Sequence, residues 1–310
     1  MSTAAAPTDP LSDDGERAGE PPGLVRDLLA LVKPNITLLV LITTGGGLWL
    51  APGHLTLARL AAALLGTVAV VGAANTLNCY LERETDKYMG RTRKRPLPDG
   101  RMAPRVALWF GLALALASVP ALTFLVNPVT GLLAAIALVS YVWIYTPMKQ
   151  LSPAALLVGA IPGAMPPLMG WTAVTGRVEW PGVVLFGILF LWQLPHFIAI
   201  SIYRQREYDR AGIQTLPGRR GAERARWHAL FWTALLVPVS LMLVPLGVAG
   251  TTYAVLAAVL GLVFVVWALR GFARGAQLSR WARGLFLYSL VYLTLLFAAL
   301  LVDAGPLHGG

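Results

Sequence analysis

The feature that most constrains this chain is a recurrence of long apolar runs. Nine of them, centred near Val40, Val68, Ala115, Leu138, Gly163, Phe190, Val237, Leu260 and Leu295, approach the length of a bilayer-spanning helix. Such a helix needs roughly 20 mostly apolar residues. Gly45, Gly46 and Gly47 interrupt the first run and make it the weakest of the nine. Hydrophobic residues make up 56% of the 310 and charged residues only 13%, whereas a soluble domain carries about a quarter charged. A globular core cannot hide that much apolar surface, so the bilayer is the expected solvent. The expected fold is all-α and polytopic, with about nine transmembrane helices around a central cavity.

The charges follow the same pattern. The net charge of +10 does not point to nucleic acid, because the Lys and Arg sit in loops between apolar runs. Those loops are the stretches before span one and after spans two, four, six and eight, while Arg59 and Arg177 alone fall on the other side. By the positive-inside rule, the N-terminus and the basic loops face the cytosol. Residues 1–23 read as a disordered cytosolic tail, because Met1 to Pro22 is polar, acidic and Pro-containing, with no basic start to an apolar signal segment. Residues 24–303 read as one transmembrane domain and 304–310 as a short external tail. The single cysteine, Cys79, excludes an internal disulfide, and with four His it argues against a Cys/His zinc site. The two chemically rich loops, after spans two and six, lie four spans apart. That offset predicts two related halves meeting at a shared cavity.

The first rich segment runs Asn75-Thr76-Leu77-Asn78-Cys79-Tyr80-Leu81-Glu82-Arg83-Glu84-Thr85-Asp86. No Gly or Pro interrupts it before Gly90, so the helix of span two is expected to continue through Asp86. At about 100° per residue, Asn75, Asn78, Glu82 and Asp86 then share one face and Glu84 points away. Hard oxygen donors one turn apart suit Mg²⁺, which typically binds a few carboxylates together with substrate phosphates. Arg91-Thr92-Arg93-Lys94-Arg95-Pro96-Leu97-Pro98 follows directly. Positive-inside topology or anionic lipid explains these cations alone. It does not explain the aligned amides and acids, and the combination fits a metal–diphosphate site.

The second rich segment ends span six with Trp192-Gln193-Leu194-Pro195-His196-Phe197 and continues through Arg204-Gln205-Arg206-Glu207-Tyr208-Asp209-Arg210. His196, Tyr203 and Glu207 fall on one helical face with Trp192 close to it. Polar groups such as Gln193 and His196 are costly inside an apolar span and tend to face a cavity or a partner. Glu207 with Arg204 and Arg206 repeats the acid-plus-cation chemistry of the first loop.

At these residues the chain resembles the intramembrane aromatic prenyltransferases of the UbiA type, and among them the haem-modifying branch. Asn78 to Asp86, Met89 and Arg91 to Pro98 carry the part shared across the family. Tyr145-Thr146, Gly159 to Gly163, Pro166 to Gly176, Trp192 to Phe197, Ala211 to Ile213 and Leu216-Pro217 continue the likeness, which runs from about Lys33-Pro34 to Asp303. The Pro-Pro-Leu-Met-Gly-Trp and Trp-Gln-Leu-Pro-His-Phe stretches are the ones typical of the haem branch. The family usually has Asp where this chain has Glu82, Glu84 and Glu207. The extra methylene shifts a bound metal by about an ångström, enough to matter for catalysis.

The resemblance implies an Mg²⁺-dependent farnesyl transfer from farnesyl diphosphate to the 2-vinyl group of haem B. Asn78, Glu82, Asp86 and Glu207 would act as catalytic metal ligands, with Arg91, Arg95, Lys149 and Arg204 on the diphosphate. It also implies a bacterial inner-membrane location, a surround of membrane lipid, and a haem A synthase or terminal-oxidase assembly as protein partner. For haem binding it points to His196, Trp192 and Tyr203. His196 itself admits three roles: structural hydrogen-bonding, contact with haem iron or a propionate, or proton transfer. Two rivals stand beside this reading. One is a prenyltransferase of the same fold acting on a quinone or chlorophyll precursor. The other is a secondary transporter, which the position of the acids at helix ends on one membrane face disfavours.

Overall fold

The structure, a computed structural model, describes residues 23–273 and 277–303. Of the two terminal tails read from the sequence, 1–23 and 304–310, residues 1–22 and 304–310 lie outside the described residues. What is described is helical, with no β-strand element: α1 (Leu24–Val32), α2 (Pro34–Leu50), α3 (Leu57–Leu81), α4 (Pro104–Ala121), α5 (Pro128–Val139), α6 (Thr146–Met148), α7 (Ala155–Thr175), α8 (Trp180–Tyr203), α9 (Gln205–Arg210), α10 (Leu216–Leu241), α11 (Thr251–Leu269) and α12 (Leu278–Val302). Chains in lipid favour this solution because a helix satisfies its backbone polar groups internally.

Seven helices are long and apolar enough to cross a membrane, and an eighth span forms if α1 and α2, bent by 48°, count as one. The expected count of nine is therefore not met by length and composition. The shortfall is α10, whose first half carries Arg219, Arg220, Glu223, Arg224 and Arg226 and is broken at Gly221 with φ at 81°. That half is polar, and only the second half is apolar enough for lipid.

The α1–α2 bend has a local cause. Lys33 precedes Pro34, whose ring disfavours a helical residue before it, and Lys33 takes a left-handed φ of 56°. The break frees the Val32 carbonyl, which accepts a bond from Asn75 Nδ2 at 3.2 Å. By contrast, the three glycines do not break α2. Gly47 lets it lie against α7, since a Cβ there would collide with the Pro167 carbonyl, as one on Gly170 would with the Thr44 carbonyl; Gly46 instead faces Phe297 of α12. Small residues at such crossings are how membrane helices approach closely.

Two large apolar clusters fill most of the interior, and a smaller one forms around Leu31, Cys79, Leu97, Met102 and Ala107. Ala63, Val70, Ala73, Leu122, Ala134, Met165 and Met169 anchor one, among α3 to α7. Leu185, Ile188, Ala225, Leu236, Tyr253, Phe264, Leu285 and Leu296 anchor the other, among α8 to α12. Leu65, Leu116, Phe124, Leu132, Trp143 and Leu262 stay exposed on the outside. An exposed apolar belt of this kind belongs against acyl chains rather than water.

Candidate active site

The two rich loops meet at one end of the bundle, and Lys149 joins them. Its Nζ lies 2.6 Å from Glu82 Oε1 on the first loop, and its carbonyl accepts a bond from Gln214 N beyond α9 at 2.8 Å. Gln150 adds a bond to Thr85 Oγ1 at 2.9 Å. The chain reaches this point through a widened helical turn over Ser140–Tyr145. An extra residue in a turn rotates every residue after it, and such turns often sit at functional sites. Here the rotation lets Thr146 Oγ1 donate to Tyr141 O at 2.8 Å and accept from Asn78 Nδ2 at 3.1 Å.

Burial opposes the charge on Lys149, but Tyr145, Glu82 and Tyr141 outweigh it and hold the ammonium above its usual pKa. The same group lies over the Tyr145 ring at 4.5 Å. Tyr208, across the cleft on α9, is pushed up by burial despite the nearby charges of Arg91, Lys149 and Arg204. Arg91, though exposed, is thereby placed near the second loop. A cavity of about 100 Å³ opens beside these groups, lined among others by Tyr145, Lys149, Leu156, Phe197 and Tyr208.

The helix of span two does not continue through Asp86. It ends at Leu81, with Glu82 as the capping residue, and Asp86 sits on a separate tight turn, Thr85–Tyr88. Contacts to the cationic loop win over helix extension: Thr92 Oγ1 donates to the Asp86 carbonyl at 2.7 Å and Arg95 Nη1 to Asp86 Oδ2 at 2.7 Å. One helix-like bond survives, from Asp86 N to Glu82 O at 2.8 Å. Asp86 and Asn78 are buried. Glu84 points outward, 68% exposed, and pairs with Lys87 at 2.6 Å; that bond holds its carboxyl below the usual range. On the second loop, Glu207 is a third exposed and lies 3.3 Å from Arg204 Nη1. A hydrogen bond to Tyr203, opposed by burial and helped by Glu207, raises the Arg204 pKa.

Two residues the sequence did not assign stand in this site. Lys33 Nζ donates to Asn78 Oδ1 at 3.2 Å, and Thr146 holds the other end of the same amide. A cation interrupting the first apolar run, next to a proline, was the available signal for Lys33.

His196, Trp192 and Tyr203 lie together, but they face α12. His196 Nδ1 is 2.7 Å from Ser289 Oγ, and Trp192 Nε1 donates to the Ser289 carbonyl at 2.6 Å. Phe286 packs on both His196, at 4.8 Å, and Tyr203, at 5.9 Å. The guanidinium of Arg283 lies 5.9 Å from the centre of the Tyr203 ring. Glu207 lies on a separate helix, α9, and reaches this group through Arg204, whose guanidinium lies 5.6 Å from the Tyr203 ring centre.

The sequence profile of the UbiA prenyltransferase family matches residues 40–290. The chain belongs to this family. A protoheme IX farnesyltransferase from Anaeromyxobacter dehalogenans (strain 2CP-C) is 52% identical over 286 residues, covering 92% of this chain and 96% of its own. The protein of the same name from Myxococcus xanthus (strain DK1622) is 50% identical over 290 residues, covering 94% and 98%. Among solved structures, a digeranylgeranylglyceryl phosphate synthase superposes with a TM-score of 0.78 at 18% identity, covering 90% of this chain and 98% of its own. A UbiA homolog from Archaeoglobus fulgidus bound to GPP and Mg²⁺ gives 0.67 at 16%, covering 88% and 99%. These structural matches establish a shared fold, that of a multi-pass membrane protein in the UbiA family.

Among the described residues no three His, Cys, Asp or Glu gather closely enough to hold a metal by themselves. The donors present are nonetheless hard oxygens, as Mg²⁺ requires, and Mg²⁺ commonly completes its shell with water and substrate phosphate. The residues therefore fit a metal shared with a diphosphate.

Proposed function

We propose that this chain transfers the farnesyl group of farnesyl diphosphate to the 2-vinyl group of protohaem IX. The observation that carries this reading is identity of about half, over nine-tenths of the chain, with relatives named for that activity. The chemistry is supported by the meeting of two acid-plus-cation loops at Lys149.

In this reading Asn78, Glu82 and Asp86 hold one side of a magnesium–diphosphate unit and Glu207 the other. Bound Mg²⁺ would neutralise the charge that develops on the leaving diphosphate. Arg91, Arg95, Lys149 and Arg204 grip phosphate oxygens and stabilise the same charge. Asn78, fixed from both ends by Lys33 and Thr146, offers a preset oxygen. The buried floor of the site keeps bulk water from the allylic cation until the vinyl group attacks. Water then adds to give the hydroxyethylfarnesyl product.

Trp192, His196 and Tyr203 form the haem-binding wall in this proposal. The stacked Trp192 and His196 rings suit a flat apolar macrocycle, and Arg283 beside Tyr203 suits a propionate. The protein lies in the cell inner membrane with its N-terminus and both rich loops in the cytosol. A haem A synthase or terminal-oxidase assembly takes the product. Residues 24–303 act as one prenyltransferase unit.

The test is a pigment extract from cells making the protein, analysed by mass spectrometry. Farnesylated haem is expected. Its absence, with prenylation of a hydroxybenzoate acceptor instead, would assign the chain to another branch of the family. Chelation of Mg²⁺ in detergent should abolish diphosphate release.

A further inference from the structure

Each acid proposed as a metal ligand already holds a cation of the chain. Glu82 holds Lys149 at 2.6 Å, Asp86 holds Arg95 at 2.7 Å, and Glu207 holds Arg204 at 3.3 Å. The amide oxygen of Asn78 likewise accepts from Lys33. The pairing is one cation to one donor, and three of these cations are among the four proposed for phosphate. A metal that takes the paired oxygen, or both oxygens of one carboxylate, must displace the ammonium or guanidinium that sits there: Lys149 on Glu82 Oε1, Arg95 on Asp86 Oδ2 and Arg204 on the Glu207 carboxylate.

We propose that Lys149, Arg95 and Arg204 are place-holders that keep metal off the carboxylates until diphosphate arrives. The proposal rests on the reading of the site given above. Diphosphate offers the cations a more highly charged partner. As they move onto its oxygens, the carboxylates open to the metal, and metal and diphosphate enter as one unit. No bond is made or broken in the exchange, and each charge leaves one partner for another. Metal alone would have to displace a paired cation and strand it in a partly buried site, which is costly. Diphosphate alone would strip the cations and leave bare carboxylates, which is costly for the same reason. The arrangement favours the full complement over either part. It also keeps the protein from holding a metal in the cytosol without substrate to act on.

The test separates place-holding from simple phosphate binding. In detergent-purified full-length protein, Mn²⁺ alone is titrated by electron paramagnetic resonance, and inorganic pyrophosphate by calorimetry with Mn²⁺ present. In Lys149→Met, Mn²⁺ alone should bind more tightly by roughly 3- to 10-fold, because Glu82 is released, while pyrophosphate binds more weakly. A coupling of about this size is ordinary between linked sites. Arg204→Gln should behave alike at Glu207. Its pair is a third exposed, so the variant keeps the test open if Lys149→Met does not fold. Mn²⁺ affinity that is unchanged or weaker in the folded variants overturns the place-holder role and leaves the function intact. Wild-type protein that binds no pyrophosphate even with Mn²⁺ overturns both.

Discussion

The imidazole of His196 is fixed by a single hydroxyl, its Nδ1 standing 2.7 Å from Ser289 Oγ. That hydroxyl has one proton, and it donates to the Phe286 carbonyl at 2.6 Å. Ser289 Oγ therefore accepts from His196, the proton sits on Nδ1, and Nε2 keeps its lone pair. The arrangement selects a neutral tautomer able to bind iron or accept a hydrogen bond. If that nitrogen contacts haem, His196→Ala should weaken haem binding by about tenfold or more, the scale of a 1–3 kcal/mol loss at a buried polar contact. Pyrophosphate affinity should stay near wild type. Titration followed at the Soret band measures the first and calorimetry the second. A purely structural His would lower both together.

Asp86→Asn should cut turnover by about 10² or more, since metal displacement of even an ångström carries such a penalty. The amide keeps the size but loses the charge that Arg95 and the metal need. Membrane insertion should be normal, because Asp86 sits on a loop turn rather than in a span. Glu84→Gln should stay within a few-fold of wild type, since Glu84 faces water and, among the described residues, pairs with Arg83 and Lys87 alone. Diphosphate release from matched amounts of inserted protein is the measurement. Full activity in Asp86→Asn would remove the residue from the site.

The helices and the two acid-plus-cation loops were legible because lipid forces backbone satisfaction and charge exclusion onto the sequence itself. The end of α3 was not. Helix periodicity treats Glu82 to Asp86 as continuous, but Thr92 and Arg95, six and nine residues downstream of Asp86, supply bonds that a local pattern cannot contain. The roles of Lys33 and Ser289 were hidden for a related reason. Each acts through a partner 45 or 93 residues away, on Asn78 and His196. The triple glycine misled in the other direction: it looked like a break, yet α2 runs through it, with Gly47 packed on α7 and Gly46 on Phe297. For α10, the apolar run centred near Val237 continues past the helix end at Leu241, so the apolar part of the helix itself is shorter than a full span.

Gly45 and Gly47 give a matched pair. A Cβ on Gly47 would strike the Pro167 backbone, while nothing lies within 4 Å of one on Gly45. Gly47→Val should therefore push α2 off α7 and destabilise the fold by about 1–3 kcal/mol, as overpacking does. Gly45→Ala should be neutral or slightly stabilising, because it removes backbone freedom without a clash. Thermal unfolding in detergent distinguishes them, and equal midpoints for the two variants would refute the close α2–α7 contact.

Topology offers the last check. The two loops bridged by Lys149 must share one membrane face, since Glu82, Thr85 and Gln214 all contact the Lys149–Gln150 turn. In the orientation proposed above that face is the cytosolic one, in keeping with the Arg and Lys content of the loops. The turn at Gly176, between α7 and α8, lies one span away from that face. Reporter fusions after Asp99 and Gly218 should thus read cytosolic, and a fusion after Gly176 should read external. A split result at Asp99 and Gly218 would contradict the fold itself. An inverted result at all three would keep the fold, reverse the orientation, and move the proposed diphosphate site to the face where no cytosolic farnesyl diphosphate reaches it.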